Sequence, residues 1–219
     1  MPLRGDTATL ELDPSGDWRV SLDVDAERAL VERLKRRDEA AFNVFVRTYQ
    51  QKVFTLVLRM LGNRAEAEEM CQEVFVTVFK SIDAFRGDAR LGTWLYRVAV
   101  NHSKNRIKYL DRRARKGQDA FDDGSERVIS DGGPFVARVD RPDESTEGTQ
   151  MERAVRRALA SIDPEHRELV VLRDIEGLSY EEIMQITGLI EGTVKSRLHR
   201  ARAALKEAIE RELGAKVPG

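Results

Sequence analysis

Apolar residues recur at steps of three and four over long stretches of the chain, which is the spacing of amphipathic helices. The first stretch covers residues 25–116, and its apolar positions include Leu30, Leu34, Phe42, Phe45, Tyr49, Val53, Leu56 and Met60. Gly62 predicts the end of one helix. A new helix is expected from Arg64, because the glutamates that follow it favour the positive end of a helix dipole. This stretch predicts a helical domain.

Three other segments complete the predicted organisation. Residues 117–149 are rich in glycine, proline and acidic side chains and have few apolar positions, so they predict a flexible acidic linker. From residue 150 the helical spacing returns and continues to residue 213, which predicts a second helical domain. Residues 1–24 are polar and aperiodic and predict a flexible N-terminal extension. The predicted fold class is therefore all-α, with two small helical domains joined by the linker.

Local start and stop signals in the second domain predict a helix-turn-helix. Ser179 and Glu182 have the spacing of a capping box, and the short helix that they open ends at Gly188. Another helix begins near Gly192. Two helices joined by a short turn that contains glycine are the helix-turn-helix arrangement, here over residues 179–206.

The helix from Gly192 combines an apolar face with a polar and basic one. Its apolar residues are Val194, Leu198, Ala201, Leu205 and Ile209. Its other faces carry Lys195, Ser196, Arg197, His199 and Arg200. Arginine forks and a short hydroxyl fit phosphate oxygens and base edges in a major groove, so we expect this helix to dock on DNA. A solvated surface would also explain a basic helix, but the capped helix and glycine turn before it favour DNA.

Residues 85–116 are strongly basic around Trp94. The cations of this segment include Arg86, Arg90, Arg97, Lys104, Arg106, Lys108, Arg112 and Arg113, and its amides include Asn101 and Asn105. Aromatic residues in helices are often core residues, and Trp94 is open to that interpretation. Cations beside aromatic rings are also typical of single-strand binding, in which bases stack on the rings and cations follow the backbone. The glycine-containing loop before Trp94 favours the second interpretation.

The helix from Arg64 carries polar side chains opposite its apolar positions. They are Glu68, Glu69, Gln72 and Glu73. Taken as residues alone, they are explained by a solvated helix start, where the dipole favours glutamate. An interface with a partner is the other interpretation.

Composition and charge narrow the class of protein. The formal net charge is −1, so the total does not indicate a nucleic-acid ligand, although cations are concentrated in the two basic segments. Cys71 is the only cysteine, which excludes an intrachain disulfide. No apolar run approaches the ~20 residues of a membrane-spanning helix, and the first residues lack the apolar stretch of a signal peptide. We therefore expect a cytoplasmic protein that does not insert into a membrane.

Residues with catalytic or metal-binding chemistry are scattered. The three histidines are His102, His166 and His199, and His199 has no second ligand at metal-binding spacing. The sequence contains no paired carboxylates, nucleophile elbow or phosphate-binding loop. It therefore predicts no catalytic centre, no metal and no cofactor.

Three segments follow one another along the chain: AEEMCQEVFVTVF, IDAFRGDARLGTWLYRVAVNHSKNRIK and LSYEEIMQITGLIEGTVKSRLHRARAAL. Together they resemble the extracytoplasmic-function (ECF, group four) sigma factors of bacterial RNA polymerase, of the sigma-E kind. The resemblance covers residues 25–116 and residues 150–210. It implies that the first domain is sigma region 2 and that the second domain, predicted over residues 150–213, is sigma region 4. It implies an alternative sigma factor that directs RNA polymerase to specific promoters and assists their melting.

The resemblance also implies roles for individual residues. Binding to core polymerase, through the beta-prime clamp helices and the beta subunit, involves Glu69, Gln72 and Glu73. Binding and melting of the minus-ten element, with capture of a flipped base, involve Phe85, Arg86, Asp88, Trp94, Arg97, Asn101 and Asn105. Binding of the minus-thirty-five element involves Lys195, Ser196, Arg197, His199 and Arg200. An anti-sigma factor is a further implied partner.

The chain departs from the family pattern before its recognition helix. Many relatives have proline where this chain has Ile190, and Leu189 offers no capping side chain. Two other functions stay open at this point: a helix-turn-helix regulator that does not associate with core polymerase, and an enzyme acting on DNA, such as a recombinase or nuclease. The Trp94 loop and the polar residues at 69, 72 and 73 argue against the first. The absence of a clustered acidic or metal-ligating set argues against the second.

Overall fold

The computed structural model describes residues 24–119 and 150–214, so most of the predicted extension and linker lies outside the described residues. Over these ranges the structure is helical without strands, which confirms the all-α prediction. The first domain contains α1 (Val24–Lys35), α2 (Glu39–Leu61), α3 (Arg64–Ser81), a 3-10 turn (Ile82–Ala84) and α4 (Leu91–Asp119). The second contains α5 (Gln150–Ser161), α6 (Pro164–Val170), a π-helical turn (Val171–Ile175), α7 (Tyr180–Thr187) and α8 (Glu191–Leu213). Of the helices in the described ranges, none has the length and apolar character needed to cross a membrane.

Local signals account for the ends of α2 and α3. The side chain of Asp38 accepts a backbone hydrogen bond at the start of α2. That helix ends at Gly62, whose φ of 72° lies in the left-handed region that glycine adopts without steric cost. The side chain of Asn63 accepts a hydrogen bond from the backbone N–H of Glu66 (3.1 Å) and caps α3. The predicted boundary at Gly62 and Arg64 is therefore confirmed.

The helix-turn-helix consists of α7 and α8, as predicted. Ser179 and Glu182 make both hydrogen bonds of a capping box, and α7 ends at Gly188 with φ 74°. The N-cap of α8 is Ile190, one residue after the position expected at Leu189, and its side chain makes no hydrogen bond to the first turn, so the predicted absence of a side-chain cap is confirmed. The residues that hold α8 against the domain core are Val194, Leu198, Ala201 and Ala208.

The π-helical turn after α6 was not predicted. Such a turn widens the helix by one residue and displaces the side chains that follow it around the helix axis. Asp174 in this turn accepts two hydrogen bonds from the guanidinium of Arg202 on α8 (2.9 and 2.5 Å). Because the two residues are 28 positions apart, local sequence patterns do not predict this ion pair.

The two domains pack directly against each other, which the sequence analysis also did not predict. Glu176 accepts hydrogen bonds from Arg59 (2.8 Å) and from the hydroxyl of Tyr96 (3.0 Å), both in the first domain. Arg167 donates to the backbone carbonyl of Met60 at the end of α2 (2.6 Å). Both domains contribute to one continuous hydrophobic core across this interface.

Two charged residues of α6 are buried at the domain interface. Arg167 is 7% exposed and also donates to the carbonyls of Ala160 (2.6 Å) and Ile162 (3.1 Å) in its own domain. Glu168 is 4% exposed and pairs with Lys104 of α4 (3.0 Å). Burial raises the pKa of the Glu168 carboxyl, and Lys104 opposes that shift. Separating the domains breaks this pair and lets water solvate both charges, so the pair by itself adds little to the stability of the packed arrangement.

Candidate nucleic-acid interface

Helix α8 presents most of the predicted minus-thirty-five residues to solvent. The exposed ones are Lys195, Ser196, His199 and Arg200. Arg197 is partly covered, and its Nη1 donates to Glu165 of α6 (2.7 Å). Residues three and four positions apart are neighbours on a helix surface, so the exposed side chains form one polar surface along the first half of α8.

Two residues that the sequence analysis did not single out lie beside Lys195. The guanidinium of Arg173 is 4.8 Å from the ring centroid of Tyr180, and the Nζ of Lys195 is 5.5 Å from the same centroid. Cation–π attraction holds the three side chains together. Lys195 also pairs with Glu191 (2.5 Å), and the hydrogen bond to that carboxylate raises the pKa of Lys195. Since Arg173, Tyr180 and Lys195 come from three different elements, only the tertiary structure reveals this cluster.

Replacing Arg200 with alanine is expected to weaken binding to a minus-thirty-five duplex by about tenfold to a hundredfold, the loss of one good base contact of ~1–3 kcal/mol. Arg200 is exposed, and its Nε donates to the Ser196 carbonyl one turn earlier (3.4 Å). The free energy of unfolding should therefore change by no more than about 0.5 kcal/mol. Fluorescence anisotropy with the full chain in the polymerase holoenzyme measures the affinity.

Arg211 supplies the matched control for Arg200. It is exposed in the last turn of α8, and its Nε donates to the Glu207 carbonyl at the same distance of 3.4 Å. Arg211→Ala removes the same charge far from the predicted DNA surface. Equal losses of affinity in the two variants would mean that Arg200 acts through net charge and not through a specific contact.

The loop before α4 exposes charged residues at a bend. Arg86 and Asp88 are exposed, and Gly87 between them has φ 80°, which favours glycine. Phe85 is 6% exposed, and its ring packs against Trp94 with a centroid distance of 5.4 Å. In this structure Phe85 therefore supports Trp94 from the core and is not available for the DNA contact predicted for it.

Exposed polar side chains follow one side of α4 at steps of four: Arg97, Asn101 and Asn105. The start of this helix is held by Glu27 of α1, whose carboxylate accepts a hydrogen bond from the backbone N–H of Leu91 (3.0 Å). The structure thus brings three predicted minus-ten residues into a single row on a helix whose first turn is fixed to the rest of the domain. A guanidinium and two amides in a row are able to contact both phosphates and base edges of a DNA strand.

The predicted polymerase-binding residues form an acidic patch on α3, defined here as Glu69, Gln72 and Glu73, and all three are exposed. Glu69 accepts a hydrogen bond from Nη2 of Arg106 (2.7 Å), and Glu73 lies 3.6 Å from Nδ1 of His102. Arg106 also pairs with Glu66, and that hydrogen bond raises the pKa of the guanidinium. Side chains of α4 therefore hold two residues of the acidic patch in place.

An apolar groove of about 430 Å³ lies beside the acidic patch, between α2 and α3. Its lining includes Phe42, Phe54, Val76 and Phe79. Val76 is 51% exposed and Phe79 is 42% exposed. Exposed apolar side chains that cluster beside a polar rim are typical of protein-binding surfaces. This groove was not predicted from the sequence. The apolar residues at 76 and 79 were a signal for it, because they lie outside the core spacing of α3.

The two predicted DNA-binding helices meet at a cavity of about 700 Å³ between the domains. Lys104 and Lys108 of α4 line one side, and Arg197 and Arg200 of α8 line another. Cations of both helices therefore face the same volume, which is also lined by Asp111, Asp163 and Glu165.

Each domain matches the sequence model of a known protein family. Sigma-70 region 2 matches residues 45–113, and Sigma-70 region 4 matches residues 152–205. The chain is 33% identical over 184 residues to the RNA polymerase sigma-H factor of Pseudomonas aeruginosa, covering 84% of this chain and 94% of that protein. It is 35% identical over 184 residues to the ECF RNA polymerase sigma-E factor of Escherichia coli, with the same coverage of each.

Two solved structures have a similar fold. One is the sigma factor RpoE in complex with the anti-sigma factor NepR from Bartonella quintana, with a TM-score of 0.57 and 20% identity, covering 77% of this chain and 96% of that one. The other is CnrH in complex with the cytosolic domain of CnrY, with a TM-score of 0.58 and 22% identity, covering 84% and 97%. The sequence matches confirm the resemblance inferred from the three segments: this chain belongs to the extracytoplasmic-function (ECF) family of RNA polymerase sigma factors.

Proposed function

We propose that this sigma factor directs core RNA polymerase to promoters by contacting two DNA elements with two different helices. Helix α8 contacts the minus-thirty-five duplex, and the loop before α4, with α4 itself, binds the minus-ten element and helps to open it. The observation that carries this proposal is that each domain presents its own exposed row of polar side chains that are able to contact DNA. The rows are Lys195, Ser196, His199 and Arg200 on α8, and Arg97, Asn101 and Asn105 on α4.

Helix α8 acts on duplex DNA and sets the position of the polymerase. Arg200 and Ser196 are exposed on its first half, where side chains of a recognition helix reach base edges in the major groove. Lys195 lies beside the ring of Tyr180, and in this proposal it contacts the DNA backbone. Phosphate contacts fix orientation, and base contacts supply discrimination of about 1–3 kcal/mol each.

The loop and α4 act on a single strand. Extruding a base from the duplex costs a few kcal/mol in lost stacking and pairing. Stacking on Trp94 offsets part of this cost, since base–aromatic stacking contributes about 1–3 kcal/mol per base. Arg86 and Arg97 attract the strand, and Asn101 and Asn105 offer hydrogen bonds to the extruded base.

The first domain also carries the surface for core polymerase. The acidic patch supplies polar contacts to the clamp helices, and the apolar groove beside Gln72 supplies area that is buried on binding. A polar rim around an apolar centre is the usual composition of such interfaces. An anti-sigma factor is the expected regulator, and the protein acts in the cytoplasm by binding alone, without a catalytic centre of its own.

Reconstitution with core polymerase tests the proposed function. The full chain should be retained by immobilised core polymerase and should produce run-off transcripts from a subset of a promoter library. A chain that binds duplex DNA but not core polymerase would contradict the proposal and favour a regulator that acts without polymerase. Cleavage of DNA in the presence of a divalent metal would favour an enzyme.

A further inference from the structure

Gly192, the second residue of α8, is a glycine that the fold does not need. Gly192 is exposed, and its backbone is α-helical. A Cβ atom built on it would meet nothing within 4 Å. Neither backbone conformation nor crowding within the described part of the chain therefore requires glycine at this position.

Most other glycines of the described residues have an evident structural reason. Five have φ values between 63° and 80°, in the left-handed region: Gly62, Gly87, Gly177, Gly188 and Gly214. Gly92, the second residue of α4, has a helical backbone, and a Cβ atom there would make an ordinary contact of 3.5 Å with the ring of Tyr49. Gly192 combines a helical backbone with fully open space, which none of these six glycines does.

Glycine also has a cost in a helix. It loses more conformational freedom on folding than alanine does, so alanine would make the start of α8 more stable. This end of the helix has no compensating side-chain cap, because Ile190 makes no side-chain hydrogen bond to it. The remaining physical use of glycine is close approach of another molecule to the backbone.

The position of Gly192 identifies the molecule that approaches. Lys195, Ser196 and His199 follow it at three, four and seven positions, which places all four residues on one side of α8. Resting on the proposed function, we infer that Gly192 is the point of closest contact between α8 and the base-pair edges of the minus-thirty-five element. The missing side chain lets the start of the helix lie deep in the major groove and sets the depth at which Ser196 and Arg200 meet their bases.

Adding a single methyl group tests this inference. Gly192→Ala in the full chain, assembled into holoenzyme, is expected to lower affinity for a selected upstream duplex by about tenfold, the equivalent of one lost base contact. The probe is the upstream half of a promoter that wild-type holoenzyme enriches from a random pool. Affinity for a scrambled duplex should not change. The thermal midpoint of the free chain should stay the same or rise by a few degrees, because alanine favours the helix.

Gly92→Ala is the matched control, since it adds the same methyl group at the second residue of another helix. It should leave affinity for the upstream duplex unchanged. Wild-type affinity in the Gly192→Ala variant, an equal loss on the scrambled duplex, or a lowered thermal midpoint would each overturn the inference. Failure of the wild-type holoenzyme to prefer the selected duplex would overturn the proposed function itself, so the two failures are distinguishable.

Discussion

A disulfide between residues 62 and 160 is expected to stop promoter opening in its oxidised form and to restore it on reduction. Gly62 ends α2 in the first domain and Ala160 lies in α5 of the second. A Cβ atom built at Gly62 lies 3.5 Å from the Cβ of Ala160, which is within the range that disulfides span. The double variant Gly62→Cys and Ala160→Cys would therefore lock the domains in their packed arrangement.

We expect the packed arrangement to prevent simultaneous contact with two promoter elements. Lys108 of α4 and Arg200 of α8 line the same cavity between the domains. Membership of the family implies two elements about two helical turns of DNA apart, which is roughly 70 Å. A locked protein is therefore restricted to one element. Losing several contacts of ~1–3 kcal/mol each predicts at least about a hundredfold less open complex.

The native cysteine does not interfere with this experiment. Burial raises the pKa of the Cys71 thiol to about 12, which disfavours the reactive thiolate near neutral pH. Run-off transcription before and after reduction measures the effect, and the two single-cysteine variants are the controls. The Gly62→Cys single variant also measures the cost of a side chain at φ 72°. Full activity of the oxidised double variant would show that the domains need not separate.

Replacing Gln72 and Glu73 with alanine is expected to weaken binding to core polymerase by about 30-fold or more. The few residues that dominate an interface contribute 2 kcal/mol or more, and we expect Gln72 and Glu73 together to reach that size, which corresponds to about 30-fold in affinity. Both residues are exposed on α3, so the free energy of unfolding should change little. Titration of labelled core polymerase with the full chain measures the affinity.

Glu32 and Gln51 offer the same pair of functional groups elsewhere in the first domain. Both are exposed, on α1 and α2, and neither lines the apolar groove beside Gln72. The double variant Glu32→Ala and Gln51→Ala should bind core polymerase as the wild type does. An unchanged core affinity after replacement of Gln72 and Glu73 would remove the acidic patch from the polymerase interface. The thermal midpoint of the Gln72 and Glu73 double variant should equal that of the wild type. A loss of binding is then not explained by a loss of folding.

Local signals in the sequence predict the end of α2, the start of α3 and both ends of α7. The left-handed glycine at 62, the Ser179–Glu182 capping box and the glycine turn at 188 act within a few residues of themselves. Their effect does not depend on distant parts of the chain. The helical period also placed Val194 and Leu198 inside and Ser196 outside before any packing was known. Three ordered segments were enough to identify the family.

The long-range partners of these local elements depend on how the chain packs. Glu176 and Arg59 are ordinary surface residue types, yet they pair across 117 positions and join the two domains. Phe85 lies in a short polar loop, where no period tells whether a ring turns to solvent or to the core, and packing against Trp94 buries it. Local signals restrict only the backbone conformation near themselves. They do not specify which distant side chains pack against each other, so many long-range pairings are compatible with them. The packing of the two domains is therefore not predictable from local sequence signals. The same holds for the access of each helix to DNA, because that access depends on the packing.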